Sequence, residues 1–186
     1  KVVVHPDEND QARFEAWRVE SARDLQRLGK LRKAPTRTRD GTDVLLWATA
    51  ERPEDVRRAH DLGAVGVGLY RTEFLFLQRP GLPDEDEQVE AYTSVVKAMR
   101  GRPVTIRTLD IGADKELEGA TRQEDNPALG LRAIRFCLAE PKMFLTQLRA
   151  LLRASQFGKL KILIPMLASS HEIDQTLVLL DKAKAQ

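Results

Sequence analysis

The sequence predicts an α/β fold of parallel strands joined by helical crossovers, and three observations support it. After residue 41, four short apolar segments typical of buried strands alternate with segments of helical spacing. Hydrophobic residues make up 42% of the 186 residues, which is enough for a core. No G-x-G-x-x-G follows the second strand, and no G-x-x-x-x-G-K-[ST] occurs. The pattern therefore favours the first half of a TIM-type (β/α)8 barrel over a doubly wound nucleotide-binding sheet.

The first 41 residues precede this alternation. The run Val2–Val4, followed by His5 and Pro6, is typical of the end of a buried strand, so we expect the chain to begin inside a larger protein. Residues 7–33 are highly charged and carry one narrow apolar stripe, which predicts a long linker helix that bridges domains or packs on a partner. A simple surface helix is the alternative. The stripe consists of Phe14, Trp17, Leu25, Leu28 and Leu31, and a turn-rich linker, 34–41, follows it.

The boundaries of the later elements come from helix start and stop signals. Pro53, with two acidic residues after it, opens a helix that Gly63 ends. Ser169 and Glu172 form a capping box that opens the last helix. The predicted strands are Val44–Trp47, Val65–Leu69, Pro103–Leu109 and Lys161–Ile164, and further helices are predicted over Glu85–Met99, Pro127–Phe136 and Lys142–Ala154.

Composition argues against several classes of protein. The formal net charge of +2 is near balance, whereas a nucleic-acid-binding protein usually concentrates basic charge. No apolar stretch is long enough to span a bilayer, and no signal pattern opens the chain. A single cysteine, Cys137, cannot form an internal disulfide and is expected to be a buried structural thiol. These features predict a cytoplasmic protein without membrane insertion or a nucleic-acid partner.

Arginines occur at the carboxyl ends of two neighbouring strands, where parallel α/β proteins place their functional groups. Arg71 follows the second strand and Arg107 lies in the third, with Arg132 as a third candidate. A guanidinium presents a planar fork of donors that suits phosphate or carboxylate. The alternative is that each arginine is solvated or paired with a neighbouring acid, but an unpaired charge in the apolar strand around Arg107 would be costly. We therefore expect a multiply charged anion as ligand.

Acidic residues near these arginines have two possible roles. Glu73, Asp110 and Asp114 could orient the guanidinium groups or bind a metal, and their spacing is not diagnostic of any metal. Lys115 is a further, weaker candidate for binding phosphate. The spacing of Gly63, Gly66 and Gly68 is interpreted as close packing of a turn and a strand.

Several long motifs, in the same order, resemble Enzyme I of the phosphoenolpyruvate-dependent sugar phosphotransferase system. The segment GLYRTEFLF carries Arg71, and VTIRTLDIGADK carries Arg107. The sibling enzymes pyruvate phosphate dikinase and phosphoenolpyruvate synthase share these motifs more loosely. The similar segments are 63–77, 83–92, 104–115, 126–135 and 147–167.

The resemblance implies a phosphoenolpyruvate-binding barrel in a phosphoenolpyruvate–protein phosphotransferase that serves sugar uptake. It implies that Arg71 and Arg107 bind phosphate and that Arg132 is a further substrate-binding residue. It also implies Mg²⁺ as cofactor, a histidine-containing phosphocarrier protein as partner and a homodimer. Residues 1–6 would end an upstream swivel domain that bears the phosphohistidine, 7–41 would form the linker, and 42–186 would form the first half of the barrel.

The sequence departs from the family pattern at the catalytic groups. His5 does not match the phosphorylatable histidine, Cys137 does not match the catalytic cysteine, and the magnesium ligands are expected downstream of Gln186. No catalytic or metal-binding residue is therefore assigned, and this part alone is expected to be inactive. The alternatives are a sibling dikinase or synthase, and a regulatory or oligomerisation module with a degraded site.

Overall fold

The computed structural model describes residues 2–31, 34–77, 79–112 and 130–186. The chain divides into two compact units, Lys1–Val44 and Leu45–Gln186. Among the described residues, no helix is both long and apolar enough to cross a membrane.

The first unit contains one long helix, α1 (Glu8–Lys30), as the stripe predicts. Asp7 caps its first turn by accepting a hydrogen bond from Asp10 N at 2.8 Å. No residue of α1 is buried, and the rings of Phe14 and Trp17 lie 5.8 Å apart on its surface. The helix is confirmed, whereas its role as a linker stays a prediction.

The buried strand predicted near the N-terminus is not observed. Val2 and Val4 are largely exposed, and residues 2–7 lie outside any helix or strand. The run Val2–Val4 therefore pairs with no strand among the described residues and is not shielded from solvent. Its assignment to an upstream domain stays a prediction.

The second unit is built on a four-stranded parallel sheet in the order β1-β2-β3-β4. Neighbours in sequence are therefore neighbours in the sheet, as strand–helix units in series require. The strands are β1 (Trp47–Ala50), β2 (Gly66–Tyr70), β3 (Val104–Arg107) and β4 (Leu160–Leu163). The α/β fold class and the parallel sheet are confirmed.

Helices connect the strands and cover the sheet. The capping boxes of Asp84 with Glu87 and of Ser169 with Glu172 begin α4 and α7. The helices are α2 (Pro53–Asp61), α3 (Glu73–Phe76), α4 (Glu85–Ala98), α5 (Ile134–Ala139), α6 (Pro141–Ala154) and α7 (Ser170–Lys184), with a 3₁₀ turn at Ser155–Phe157.

Two predicted elements are displaced in the structure. The first strand lies at Trp47–Ala50 rather than Val44–Trp47, because its pairing with β2 sets the register from Trp47 opposite Gly66 to Ala50 opposite Tyr70. The helix predicted over Pro127–Phe136 begins only at Ile134. Ala133, with φ of +51°, cannot continue a helix, and residues 113–129 lie outside the described residues.

The core of this unit forms two clusters. One joins the sheet to α4 and α6 around Tyr92, Met99 and Leu151, and the other surrounds Ile111, Cys137 and Phe144. Gly66 allows Trp47 to pack on β2, because a Cβ at Gly66 would lie 2.3 Å from the Trp47 ring. The interpretation of this glycine as close packing is confirmed.

Candidate functional site

The carboxyl ends of β1, β2 and β3 converge on one cavity of about 470 Å³. Each strand end supplies polar groups because the strands are parallel and run in sequence order. The lining residues are Glu51, Arg71, Glu73, Phe74, Leu77, Arg107, Asp110 and Arg132. All three arginines predicted from the sequence therefore face one cavity.

Arg107 lies at the centre of an ion-pair network. Its Nη2 donates to Glu73 Oε1 at 2.7 Å, and its Nη1 lies 2.9 Å from Asp110 Oδ2. Arg132 Nε donates to the other oxygen of Asp110 at 2.9 Å. The side chains of Glu73, Asp110 and Arg107 are only 11%, 12% and 19% exposed, so this network is shielded from water. The interpretation of Glu73 and Asp110 as carboxylates that orient an arginine is confirmed.

Arg71 is held more loosely than Arg107. It pairs with Glu51, the residue that follows β1, through one terminal nitrogen, Nη1. The side chain of Arg71 is 45% exposed. Because a surface ion pair contributes little to stability, Arg71 can exchange this carboxylate for a ligand anion at small cost.

The cavity balances three arginines against three carboxylates, Glu51, Glu73 and Asp110. The carboxylates therefore orient the guanidinium groups without leaving a net negative charge that would repel an anion. Within the described part of the chain, Arg107 Nε and Glu73 Oε2 are buried and have no hydrogen-bond partner.

The segment that carries Arg132 has an unusual backbone. Gly112 and Arg132 form an isolated antiparallel bridge, and Ala133 N donates to Ile111 O at 3.2 Å. Ala133 is fully buried and has a positive φ, a conformation that costs free energy in a non-glycine residue. These contacts hold Arg132 beside Asp110.

Glu51 is the cavity residue whose role the sequence analysis missed. In the structure, Glu51 is the first residue after β1. The predicted strand ended at Trp47, four residues earlier, so Glu51 was not recognised as a strand-end residue. Phe74 and Leu77, which form the apolar side of the cavity, come from α3 and the residue after it. Their position in the segment TEFLFL, directly after Arg71, was the available signal.

Two further candidates, Asp114 and Lys115, lie outside the described residues. Across 2–31, 34–77, 79–112 and 130–186, no group of three or more His, Cys, Asp or Glu side chains could hold a metal ion. Glu51, Glu73 and Asp110 each have an arginine partner instead. The described residues therefore contain no preformed cluster of three such metal ligands.

Cys137 lies behind the cavity, fully buried, with Sγ 3.8 Å from Leu109 O. Burial, with a smaller contribution from the Asp110 charge, raises the pKa of its thiol to about 12. We therefore expect the folded protein to resist thiol reagents at about pH 8, because the thiolate is the reactive form. A colourimetric thiol titration before and after urea should show reaction only after unfolding. Rapid stoichiometric reaction of the folded protein would contradict this.

The raised pKa also predicts how stability depends on pH. The folded state holds the Cys137 proton more tightly than the unfolded chain, where the ordinary pKa is 9.0. The Cys137 contribution to the free energy of unfolding is thus fully present below that value and decreases as the pH rises toward about 12. Urea melts of Cys137→Ala and the unsubstituted protein across this range should show a steeper alkaline loss in the latter.

Comparison with known proteins gives one family and a consistent set of relatives. The family described as PEP-utilising enzyme, PEP-binding domain, matches residues 25–186. The phosphoenolpyruvate-protein phosphotransferase of Cupriavidus necator is 53% identical over 189 residues, which cover 100% of this chain and 32% of that protein. Its namesake from Staphylococcus carnosus is 47% identical, covering 99% of this chain and 32% of that protein. The chain thus spans about a third of the length of these relatives.

Proposed function

The chain belongs to the PEP-utilising enzymes, matching their PEP-binding domain, and from that premise we propose that its arginine-lined cavity binds the phosphoryl group of phosphoenolpyruvate. The proposal assigns Arg71 and Arg107 to the phosphoryl oxygens and Arg132 to a further contact with the substrate. The observation that carries it is the convergence of these three arginines, from separate segments, on one cavity.

The chemistry of the ligand matches this geometry. Phosphoenolpyruvate carries a phosphate and a carboxylate on a small unsaturated skeleton, so it needs several cationic donors and a limited apolar surface. The arginine forks supply charge-assisted hydrogen bonds to phosphate. Phe74 and Leu77 supply the apolar side. Glu73 and Asp110 keep the Arg107 fork from rotating, which reduces the ordering cost when the ligand binds.

In the full-length gene product, we propose that this cavity serves a phosphoenolpyruvate–protein phosphotransferase. The phosphoryl group would pass to a histidine and then to a phosphocarrier protein for sugar uptake. Transfer of a phosphoryl group requires positioning and stabilisation of charge on its equatorial oxygens, both of which arginine forks provide. The relatives described above are phosphoenolpyruvate-protein phosphotransferases, which favours this function over a dikinase, a synthase or a degraded regulatory module.

Magnesium, when bound to the intact enzyme, would neutralise substrate charge, and we propose it as the cofactor of the full-length gene product. Under this proposal, the arginines of this chain bind and orient the substrate on which the metal acts.

The sheet is proposed to be part of a (β/α) barrel. The order β1-β2-β3-β4, without reversal, supports this architecture, because doubly wound sheets reverse direction at a switch point. A barrel would place all βα connections, and therefore the cavity, on one face.

Comparison of phosphoenolpyruvate with pyruvate tests the proposed function. Calorimetric titration of the full-length gene product should show phosphoenolpyruvate binding at least about 100-fold more tightly than pyruvate. The reason is that each hydrogen bond to a charged group contributes about 1.5–3 kcal/mol and pyruvate lacks the phosphate. Equal affinity for both ligands, or no binding of phosphoenolpyruvate, would contradict the proposal.

A further inference from the structure

We propose that Gln147 is a positioning residue that sets the spacing between the strand ends bearing Arg71 and Arg107. It lies in α6, is 1% exposed and does not line the cavity. The inference rests on the proposed function, because it concerns how the same cavity is held ready for a phosphoryl group.

The amide of Gln147 connects three segments of the chain. Its Oε1 accepts a hydrogen bond from Leu109 N at 3.0 Å. Its Nε2 donates to Tyr92 Oη at 3.1 Å and, at 3.4 Å, to Thr72 Oγ1. Thr72 follows Arg71 directly, and Leu109 follows Arg107 by two residues. The Gln147 side chain therefore contacts the hydroxyl of the residue after Arg71 and the backbone amide two residues after Arg107.

Thr72 completes the connection between the two strand ends. Its hydroxyl, 1% exposed as a residue, donates to the carbonyl of Arg107 at 3.1 Å. The last paired residues of β2 and β3 are Tyr70 and Ile106, so the sheet pairing stops just before the arginines. Beyond that point, hydrogen bonds of Thr72 and Gln147 connect the two chain segments in place of sheet pairing.

The backbone after β3 shows why a side-chain acceptor is needed. Thr108 N still donates to Leu163 O of β4 at 2.9 Å. The next two amides turn away from the sheet: Leu109 N donates to Gln147 Oε1, and Asp110 N donates to Glu73 Oε1 at 3.1 Å. Because buried amides require partners, Gln147 permits the turn that brings Asp110 to Arg107.

The orientation of the Gln147 amide is determined by a chain of hydrogen bonds through Tyr92 and Gln88. Tyr92 Oη donates to Gln88 Oε1 at 3.1 Å, and Gln88 Nε2 donates to Pro83 O at 3.1 Å. Since the Tyr92 hydroxyl has used its only proton, it accepts from the Gln147 NH₂ group, and the Gln147 oxygen must face Leu109. Burial raises the pKa of Tyr92, so the hydroxyl keeps this proton.

The test replaces Gln147 by methionine in the full-length gene product. Gln147→Met keeps the side-chain length but cannot accept from Leu109 N. We expect the dissociation constant for phosphoenolpyruvate to rise about tenfold. This is the change in affinity that corresponds to the free energy of about one hydrogen bond. Hydrogen exchange of the Leu109 amide should accelerate more than exchange at β4, which a general loss of stability would not produce.

The matched control is Thr176→Val, which removes the hydrogen bond from the hydroxyl of the buried Thr176 to Glu172 O in α7, a bond that involves neither strand end nor the Gln147 amide. Its dissociation constant should stay within about twofold of the unsubstituted protein. If Gln147→Met does not fold, Thr72→Val tests the same connection from the β2 side. It removes the hydrogen bond to Arg107 O and the longer one from Gln147 Nε2, and should weaken binding at least about fivefold.

The outcomes separate the two proposals. If the unsubstituted protein does not bind phosphoenolpyruvate, the proposed function fails and this inference fails with it. If it binds, but Gln147→Met (or Thr72→Val where the former does not fold) retains its affinity and Leu109 exchange is unchanged, only the positioning role of Gln147 is overturned. Weaker binding with selectively faster exchange at the Leu109 amide, and unchanged affinity in Thr176→Val, supports the role.

Discussion

Arg107→Ala is expected to reduce phosphoenolpyruvate affinity at least 100-fold and also to destabilise the fold, because Arg107 serves both purposes. Its guanidinium is only 19% exposed and pairs with Glu73 and Asp110. Removing it leaves two nearly buried carboxylates without this partner, a loss of about 3–5 kcal/mol in comparable buried pairs. A guanidinium fork can donate two hydrogen bonds to a phosphoryl group, each contributing about 1.5–3 kcal/mol, so losing both costs at least about 100-fold in affinity. Titration calorimetry and urea unfolding of the full-length gene product measure the two effects.

Two control variants separate binding from stability at this position. Arg107→Lys keeps the charge but replaces the fork by a point charge, so affinity should fall less than in Arg107→Ala. Phe144→Leu destabilises the same core without contacting the cavity, so affinity should be unchanged while the urea midpoint decreases. If Arg107→Ala binds phosphoenolpyruvate as tightly as the unsubstituted protein, Arg107 is not a phosphate-binding residue.

Arg71→Ala is expected to weaken phosphoenolpyruvate binding about 10-fold to 100-fold, the value of a hydrogen bond to a charged group. Its effect on stability should be small, because the side chain is 45% exposed and its ion pair with Glu51, the one that the described residues show, lies at the surface. The same titration, with a thermal melt, measures both quantities. Both substitutions should thus weaken binding, with the larger loss in Arg107→Ala, and only Arg107→Ala should lower the stability strongly.

Arg153→Ala is the matched control for Arg71→Ala. Arg153 is 48% exposed, pairs with Glu85 and Asp86, and lies outside the cavity. Its removal changes the net charge by the same amount, so a general electrostatic effect on an anionic ligand would weaken binding equally in both variants. Unchanged affinity in Arg153→Ala, beside a loss in Arg71→Ala, would assign the effect to the cavity. Equal losses would contradict the role of Arg71.

Much of the fold was predictable because each strand–helix unit carries its own local signals. Capping residues and proline predicted the beginnings of α2 and α7, and the apolar runs predicted β2 and β4 to within one residue. The first strand was wrong by three residues. Val44, Leu45 and Leu46 are apolar but exposed, and the register with β2, a tertiary property, places the strand at Trp47–Ala50.

The arginines of the candidate site were predictable for a reason of topology. Parallel neighbouring strands bring their carboxyl ends together, so Arg71 and Arg107 had to meet if both strands were correct. Glu51 was missed because the error in the first strand moved the strand end away from it. A local error in one boundary thus concealed the ion-pair partner of Arg71.

Gln147 was missed for another reason. It lies among Phe144, Leu148 and Leu151 at helical spacing, so its position predicts burial, and a buried glutamine indicates a specific hydrogen-bonding role. The partners of its amide, however, are 38 to 75 residues away in sequence. No periodicity in the sequence encodes such contacts, which depend on the assembled sheet.

A crystal structure of the full-length gene product with phosphoenolpyruvate tests the central claim most directly. The account predicts the phosphoryl group between Arg71 and Arg107, with guanidinium nitrogens about 2.7–2.9 Å from phosphoryl oxygens, as in charge-assisted pairs. Arg71 should have exchanged Glu51 for the ligand, whereas Arg107 should keep Glu73 and Asp110. Phosphoenolpyruvate bound elsewhere, or bound with its phosphate away from both arginines, would contradict the account.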